Sequence, residues 1–248
     1  MTKDDALFPD RPPAAVTARV AVLLDIDGTL LDSNDAHAQA WVEALRMHGR
    51  PLAFEAVRPM IGKGGDKVFA ELVGIDPDGD EAERITEDRR RLLLDRFLPS
   101  LQPTRGARAL LQRLRANGHR LVVATSAGGA ELKALLRQAG VADLIDEAAT
   151  ASDAEHSKPD PDIVQAALRK AGVAASSAVM VGDTPYDIEA ARAAAVPAIA
   201  LRCGGGWPDS AFSGAAAVYD DPAELLRRLD QSPLARAAPR AEGAPPAR

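Results

Sequence analysis

The sequence predicts an α/β fold: a Rossmann-like, doubly wound parallel sheet with an inserted α-helical domain. Short apolar runs alternate with helical patterns along most of the chain, which is typical of βαβ units. The runs are continuous rather than alternating, as expected of strands that are buried on both faces. After the first run, strand signals disappear until about residue 100. We therefore expect a helical insertion in that part of the chain.

Six apolar runs are the predicted strands. The first, RVAVLLD, starts at Arg19 and ends in an acid. Its length and composition indicate a short buried strand. The later runs are RLVVAT (120–125), LIDEAAT (144–150), SAVMVGD (177–183), PAIALR (197–202) and, as a possible edge strand, AAAVYDD (215–221).

Helical patterns separate these strands. They cover 104–117, 129–139, 160–171 and 186–195. Several end at a glycine, which favours the left-handed backbone that closes a helix. The glycines are Gly118, Gly140 and Gly172.

The insert and the two chain ends define the predicted domains. A structureless loop as long as the insert is implausible, and its segments DAHAQAWVEALRMHG and EAERITEDRRRLLLDRFL have helical patterns. We predict the helical domain at 34–99 and the α/β core at 17–33 and 100–230. Residues 1–16 and 231–248 are rich in Pro, Ala and Arg, and we predict disordered tails there.

Composition excludes several classes of protein. The chain has 248 residues and a net charge of −6 with both signs interspersed, so we expect no nucleic-acid partner. Its one cysteine, Cys203, excludes an internal disulfide framework. No apolar run is long enough to span a bilayer, and the start MTKDDALFPDRPP lacks the features of a signal peptide. We expect no membrane partner and a cytoplasmic location.

Polar side chains follow the predicted strands at their carboxyl ends. In a doubly wound sheet these ends meet at one edge, and ligands bind there at the point where the strand order reverses. The side chains are Asp25 and Asp27 after the first strand, Thr125 and Ser126 after the second, Lys158 after the third, and Asp183 and Asp187 after the fourth. We therefore expect one cleft that contains all of them.

Such a cleft favours a metal ion. Several carboxylates close together repel one another, and proteins tolerate this mainly when a hard cation neutralises them. Oxygen ligands without His or Cys indicate Mg²⁺, which would bridge the protein and a phosphoryl oxygen. Asp183 is the next side-chain ligand expected after Asp25, and Asp187 lies close behind it.

The residues of the cleft fit phosphoryl transfer. Asp25 can attack phosphorus and form an aspartyl phosphate. Asp27 would protonate the leaving oxygen and later activate water, which requires its protonated form in the first step. Thr125 would donate hydrogen bonds to the phosphoryl oxygens, and Lys158 would neutralise Asp25 and the transferring group.

Simpler interpretations of these residues remain open. Asp27 could form a local turn. Thr125 could cap the helix that begins near Gly128, and Ser126 competes with it for the phosphate or contributes its backbone N–H. Lys158 could be a surface lysine in front of a helix.

The motifs carry a resemblance to a known family. DIDGTLLDS, the apolar run ending at Thr125, SKPDPD and GDTPYD resemble the four successive motifs of the haloacid dehalogenase-like hydrolase superfamily. They occur in order over about residues 19–230. The chain is similar to the subgroup of phosphoglycolate phosphatases and β-phosphoglucomutases, which carries a helical cap.

The resemblance has several implications. It implies a metal site made by the Asp25 carboxylate, the Asp27 backbone carbonyl and the Asp183 side chain, with Asp187 behind them. The insert at 34–99 resembles the cap that closes over the site and selects substrates. Dehalogenases of the superfamily lack the second acid of the first motif, so Asp27 favours phosphate chemistry.

The predicted cap contains a glycine-rich break at residues 61–67. It could be a flexible turn, but the resemblance implies substrate contacts from this region, with Lys63 and Lys67 as candidates. His37 and Trp41 are four residues apart and share a helix face; we interpret them as packing at the cap–core hinge. We expect Cys203 to be inert and residues 204–206 to form a mobile loop near the site.

The expected function is Mg²⁺-dependent hydrolysis of a small phosphorylated metabolite by a monomer or homodimer. Phosphoglycolate, a sugar phosphate or another phosphomonoester would fit. One alternative is a sugar phosphomutase similar to β-phosphoglucomutase. A signalling receiver domain would be shorter, with no insert and no use for Asp27. A non-catalytic phospho-accepting or binding protein is the remaining alternative, although nothing essential is missing from the motifs.

Overall fold

The computed structural model describes residues 20–236. Six strands form one sheet in the order β3-β2-β1-β4-β5-β6, and every neighbouring pair is parallel. The strands are β1 Ala21–Leu24, β2 Arg120–Ala124, β3 Glu147–Ala149, β4 Ala178–Gly182, β5 Ala198–Leu201 and β6 Ala217–Tyr219. Each lies within one of the predicted runs, so the predicted fold class is confirmed.

Helices connect the strands and form the insert. The helices are α1 Asn34–Met47, α2 Phe54–Val57, α3 Gly65–Val68, α4 Asp80–Leu92, α5 Ala107–Ala116, α6 Gly129–Gln138, α7 Asp162–Ala171, α8 Pro185–Ala193, α9 Pro222–Arg227 and α10 Pro233–Arg236. Gly118, Gly140 and Gly172 follow α5, α6 and α7 with φ of 84°, 66° and 66°. They terminate these helices as predicted. No helix in the described part of the chain is long and apolar enough to cross a membrane.

The sheet is covered on both faces. Successive side chains of a strand point to opposite faces, and in β1 this separates Val22 and Leu24 from Ala21 and Leu23. Val22 and Leu24 pack in one apolar cluster with residues of α5, α6 and α9. Ala21 and Leu23 pack in another with residues of α7 and α8. Full burial of such a side chain contributes roughly 1.5–3 kcal/mol, which explains the continuous apolar runs.

The strand order reverses beside β1. Ala21 of β1 lies opposite Arg120 of β2 on one side and Ala178 of β4 on the other. The chain then continues outward to β3 on one side and to β5 and β6 on the other. Crevices at such reversal points bind ligands. The carboxyl ends of β1 and β4 therefore define where a site should lie.

The insert has its own apolar cluster. Side chains from α1 and α4 form its centre, including Trp41 and Leu45 from α1 and Ile85 from α4. This cluster is separate from the two on the sheet faces. Segment 34–99 is therefore a helical segment with an apolar core of its own. The exact domain boundaries stay predictions.

The predicted C-terminal tail begins too early in the chain. Residues 233–236 form α10, and Leu234 is buried in the cluster on the α5 side of the sheet. The prediction is wrong for this part because one apolar side chain among Pro and Ala is enough to dock it. Residues 1–16 and 237–248 of the predicted tails lie outside the described residues.

Candidate functional site

Asp25 lies at the carboxyl end of β1, beside the end of β4. Its backbone N–H donates to the Val181 carbonyl at 3.0 Å, which extends the β1–β4 pairing to the site. Its Oδ1 is 2.5 Å from Lys158 Nζ. Burial raises the pKa of Asp25 to about 7, and Asp187 and Asp27 add to this effect while Lys158 opposes it. Asp25 is thus a buried carboxylate whose charge needs a further cation.

Lys158 is buried between two carboxylates. It is 1% exposed, and its Nζ donates to Asp25 Oδ1 at 2.5 Å and to Asp187 Oδ1 at 2.7 Å. Burial alone would lower the pKa of Lys158, but the charges of Asp187 and Asp25 outweigh it and raise the pKa. Lys158 is therefore a cation fixed inside the site, and the surface-lysine interpretation is wrong.

Asp183 follows β4 and is held by neutral donors. Thr29 Oγ1 donates to its Oδ1 at 2.9 Å, and Asn34 Nδ2 donates to its Oδ2 at 2.8 Å. Burial raises its pKa well above the ordinary value, as do the charges of Asp187 and Asp25, while the two hydrogen bonds oppose the rise. Asp183 is oriented without being paired to a cation.

Asp187 lies in the first turn of α8, and both of its carboxylate oxygens accept hydrogen bonds within the protein. Its Oδ1 accepts from Lys158, and its Oδ2 accepts from the Thr184 backbone N–H at 3.1 Å and hydroxyl at 2.8 Å. The Thr184 hydroxyl oxygen accepts in turn from the Asp187 N–H. This reciprocal cap fixes the start of α8 and with it the position of Lys158.

Three of these carboxylates can hold a metal ion. Oxygens of Asp25, Asp183 and Asp187 lie within 4.8 Å of one another, and all three residues are buried. Lys158 is the ammonium that contacts two of them, so full ionisation leaves about two negative charges uncompensated. A divalent cation with a preference for oxygen ligands fits this charge and donor set. The part predicted for the Asp27 carbonyl stays a prediction.

Gly28 permits this arrangement in the turn after β1. Its φ is +77°, and a Cβ placed there would lie 2.2 Å from both Asn34 Nδ2 and Asp183 Oδ2. Only glycine combines this backbone with such a close approach. The glycine of the DIDGT segment therefore lets the first turn pack against the carboxylate at the end of β4.

Asp27 is paired with a histidine. His37 Nε2 is 2.8 Å from Asp27 Oδ1, and Ser33 Oγ donates to the same oxygen at 2.5 Å. Burial would raise the pKa of Asp27, but the charge and hydrogen bond of His37 outweigh it and lower the pKa. Burial would lower the pKa of His37, but Asp27 outweighs it and raises the pKa. These shifts favour the proton of the pair on His37 before substrate binds, and the protonated Asp27 expected in the first step stays a prediction.

The packing interpretation of His37 is corrected. His37 belongs to α1, and the ring nitrogen reaches back to Asp27 across ten residues of chain. The sequence does contain a signal for this contact, because His37 lies on the first helix after the DIDGT segment and can turn towards Asp27. Helical spacing alone did not distinguish this contact from packing.

A pocket opens beside these groups. Asp25, Asp27, Thr125 and Ser126 line it from the core side. Its remaining lining residues are His37, Trp41, residues 61–65, Arg89, Ala127 and Glu131. The structure therefore brings Asp25, Asp27, Thr125 and Ser126 to one cavity between the sheet edge and the insert, and Lys158 adjoins it through its contact with Asp25.

Thr125 is buried at the end of β2. Its hydroxyl oxygen accepts from the Ala127 N–H at 3.1 Å, which leaves the hydroxyl hydrogen to donate elsewhere. Helix α6 begins at Gly129 without a side-chain cap. Thr125 therefore does not cap that helix.

The two candidate lysines of the insert are in different positions. Lys63 lines the pocket, with its Nζ 2.7 Å from Glu71 Oε2 and 4.9 Å from the Tyr186 ring centroid. Lys67 instead donates to Asp160 Oδ2 at 2.8 Å, and within the described chain it is not among the residues that line the pocket. The structure brings Lys63, but not Lys67, to the site, because Asp160 lies beside Lys158 and attracts the Lys67 ammonium.

Arg89 and Glu131 were not predicted as site residues. Arg89 Nη1 donates to Glu131 Oε1 at 2.7 Å, and both line the pocket. Arg89 stands in a run of three arginines on α4, which has the pattern of a solvated helix face. The sequence carries no local signal that one of the three would turn inward.

Cys203 and the loop at residues 204–206 lie next to Asp183. Burial raises the pKa of the Cys203 thiol to about 12, which agrees with an inert thiol. The carbonyl of Gly204 accepts from Asn34 Nδ2 at 3.1 Å and from Arg58 Nη2 at 2.6 Å. The predicted mobile loop is thus anchored at its first glycine by two side chains of the insert.

Comparison with known proteins extends these observations. Residues 20–195 match a model of the hydrolase family described as haloacid dehalogenase-like hydrolase. A phosphoglycolate phosphatase of Rhodospirillum rubrum is 35% identical over 215 residues, covering 83% of this chain and 88% of that protein. A plasmid-encoded phosphoglycolate phosphatase of Cupriavidus necator is 32% identical, covering 88% of this chain and 96% of that protein. A hydrolase structure from Pseudomonas syringae superposes with a TM-score of 0.79 at 30% identity, covering 86% of this chain and 98% of that one.

Proposed function

The chain belongs to the haloacid dehalogenase-like hydrolases, among the phosphoglycolate phosphatase-like phosphatases, and from this premise we propose that it hydrolyses small phosphomonoesters with Mg²⁺ through a phosphorylated Asp25. One observation carries the proposal: three buried carboxylates and one buried lysine surround a point at the joined ends of β1 and β4. This is a site for a divalent cation and a phosphoryl group. The His37–Asp27 pair borders the same pocket.

In the first step Asp25 forms a bond to phosphorus, and the bond between phosphorus and the leaving oxygen breaks. Lys158 holds Asp25 in place through the hydrogen bond at 2.5 Å and offsets negative charge during transfer. Thr125 donates its hydroxyl hydrogen to a phosphoryl oxygen, and Ser126 and Lys63 contact the bound ester. When bound by Asp25 and Asp183, with the Asp27 carbonyl, Mg²⁺ supplies charge neutralisation for the phosphoryl oxygens.

The leaving oxygen takes its proton from Asp27. In the free protein His37 holds that proton, 2.8 Å from Asp27 Oδ1. The negative charge of a bound phosphomonoester raises the proton affinity of Asp27, so the proton moves from Nε2 to the carboxylate and then to the leaving group. In the second step a water molecule attacks phosphorus and gives a proton to Asp27. The bond between Asp25 and phosphorus breaks, which releases Asp25 and inorganic phosphate.

The helical insert would act as a cap in this reaction. We propose the division made from the sequence, with the cap at 34–99 and the catalytic core at 17–33 and 100–230. The glycine-rich segment and α4 of the insert line one side of the pocket. By covering that side, the insert would limit the access of water to the site. The relatives named phosphoglycolate phosphatase make phosphoglycolate one ester to test, and a sugar phosphate is another.

The test is the Asp25→Asn variant assayed for phosphate release from a panel of phosphomonoesters with Mg²⁺. We expect turnover to fall at least about 10³-fold, because an amide is a poor nucleophile, while the circular dichroism spectrum is unchanged. EDTA should silence the wild type, and added Mg²⁺ should restore it. Asp95→Asn, at an exposed position of the insert, is the matched control and should keep full activity. Full activity in Asp25→Asn would exclude the mechanism.

A further inference from the structure

A buried ion pair lies in the pocket where the leaving group would sit. Arg89 of α4 and Glu131 of α6 join at 2.7 Å, and their side chains are 12% and 3% exposed. The pair lines the same pocket as Asp27 and His37. Since Asp27 protonates the leaving oxygen, the part of the substrate beyond that oxygen meets Arg89 and Glu131.

Every cation that lines this pocket, within the described residues, already has a carboxylate partner. His37 is 2.8 Å from Asp27, Lys63 is 2.7 Å from Glu71, and Arg89 is 2.7 Å from Glu131. No other histidine, lysine or arginine among the described residues lines this pocket. A carboxylate on the leaving group would therefore meet no uncompensated positive charge.

The pair is also held firmly. The guanidinium carbon of Arg89 lies 5.5 Å from the Trp41 ring centroid, so the arginine is fixed by an aromatic face as well as by Glu131. A substrate carboxylate that displaced Glu131 from the Arg89 guanidinium would leave Glu131 buried without its partner. Breaking a buried pair in this way is strongly unfavourable.

An uncharged hydroxyl group fits the same place. Arg89 Nε is buried and has no hydrogen-bond partner, so Arg89 retains a donor. Glu131 has a second carboxylate oxygen that can accept. A hydroxyl can both accept and donate, whereas a carboxylate can only accept and is repelled by Glu131.

We propose that Arg89 and Glu131 are specificity-determining residues that favour a phosphomonoester with an uncharged, hydroxyl-bearing leaving group over one with a carboxylate. The inference rests on the proposed function and selects among its substrates. It ranks 2-phosphoglycolate below an uncharged ester of similar size.

The test compares 2-hydroxyethyl phosphate with 2-phosphoglycolate, which differ chiefly in a hydroxymethyl or carboxylate group. The measured quantity is the ratio of kcat/KM for the hydroxyl ester to kcat/KM for the carboxylate ester. We expect this ratio to be at least about 10 in the wild type, because like charges placed together at a binding site are strongly unfavourable. A wild-type ratio below 1 would overturn the inference.

Two variants should change the ratio in opposite directions. Glu131→Gln keeps the shape and an acceptor but removes the charge, so Arg89 becomes available to a carboxylate and the ratio should fall by about tenfold. Arg89→Gln leaves Glu131 without its partner, so the ratio should rise. If one variant does not fold, the direction in which the ratio changes in the other variant tests the inference.

The control is Glu81→Gln. Glu81 pairs with Arg50 at 2.6 Å on the insert, away from the pocket-lining residues, and this variant should leave the ratio unchanged. An unchanged ratio in both pocket variants, with activity on both esters, overturns the inference alone. Absence of Mg²⁺-dependent hydrolysis of any phosphomonoester by the wild type overturns the proposed function instead.

Discussion

The Asp27 carboxylate and the His37 imidazole form a pair whose two pKa values are shifted apart. The pKa of Asp27 lies below its ordinary 3.8, and that of His37 lies above its ordinary 6.5. Between these values both groups are charged in the folded protein. The pair therefore stabilises the fold most at mildly acidic pH, and in the proposed mechanism it holds the proton that the leaving group receives.

The stability of a His37→Gln variant tests this pair. The contribution of His37 is fully present below pH 6.5 and is lost as the pH rises through its raised folded pKa; that of Asp27 is lost as the pH falls through its lowered folded pKa. We expect the variant to lose about 3 kcal/mol of unfolding free energy at pH 6 and much less at pH 10. Urea denaturation with EDTA present would measure both losses.

A second histidine provides the control for that experiment. His48 pairs with Asp88 at 2.9 Å in a partly exposed position, with side chains 21% and 24% exposed. We expect His48→Gln to cost less than about 1 kcal/mol at pH 6, as for other exposed pairs. An equal loss at pH 6 and pH 10 in His37→Gln would show that His37 acts by packing alone.

At the level of secondary-structure elements, the turn after β1 leaves no room for a side chain at Gly28. Gly28 has a left-handed backbone, and a Cβ there would overlap Asp183 and Asn34 at 2.2 Å. Gly118, after α5, has a similar φ of +84° with nothing within 4 Å. Substitutions at Gly28 and Gly118 therefore separate the cost of backbone strain at positive φ from the cost of steric overlap by an added Cβ.

We expect Gly28→Ala to cost about 3 kcal/mol or more of unfolding free energy, since strain and overlap add, and to abolish the proposed Mg²⁺-dependent activity. Gly118→Ala should cost only about 1–2 kcal/mol, the backbone part, and should keep activity. Thermal unfolding and phosphatase assays on both variants would measure this. Comparable activity in the two variants would contradict the close packing of the first turn against Asp183.

At the scale of the whole molecule, the carboxylate cluster connects distant parts of the chain. Asp25 comes from the end of β1, Asp183 from the end of β4 and Asp187 from α8. Burial and mutual repulsion raise the pKa of Asp25 to about 7 and that of Asp183 as well. Without a cation, folding therefore becomes less favourable as the pH rises from the ordinary carboxyl pKa of 3.8 through 7.

This dependence predicts how the proposed Mg²⁺ ion would stabilise the protein. Because bound protons compete with the ion, we expect a given Mg²⁺ concentration to raise the Tm by several degrees more at pH 8 than at pH 5.5. Differential scanning fluorimetry at the two pH values would measure it. Asp183→Asn should lose most of the gain at pH 8. An equal Tm gain at both pH values would argue against an ion at this cluster.

The amino-acid sequence is enough to predict the sheet, and with it the side of the site that we propose binds phosphate and the metal ion. Continuous apolar runs have few structural solutions other than buried parallel strands, and parallel strands bring their carboxyl ends together. Asp25, Lys158 and Asp183 follow from that rule, although they are far apart in the chain.

Only the tertiary structure decided the side of the pocket formed by the insert. Arg89 pairs with Glu131 across 42 residues of sequence, and Lys67 pairs with Asp160 across 93. Helical periodicity shows which side chains share a face, but the way the insert lies on the core decides which of them turn inward. That placement depends on packing between remote segments. Helical spacing therefore predicts neither the contact of His37 with Asp27 nor the pocket position of Arg89, and it does not distinguish Lys67 from Lys63.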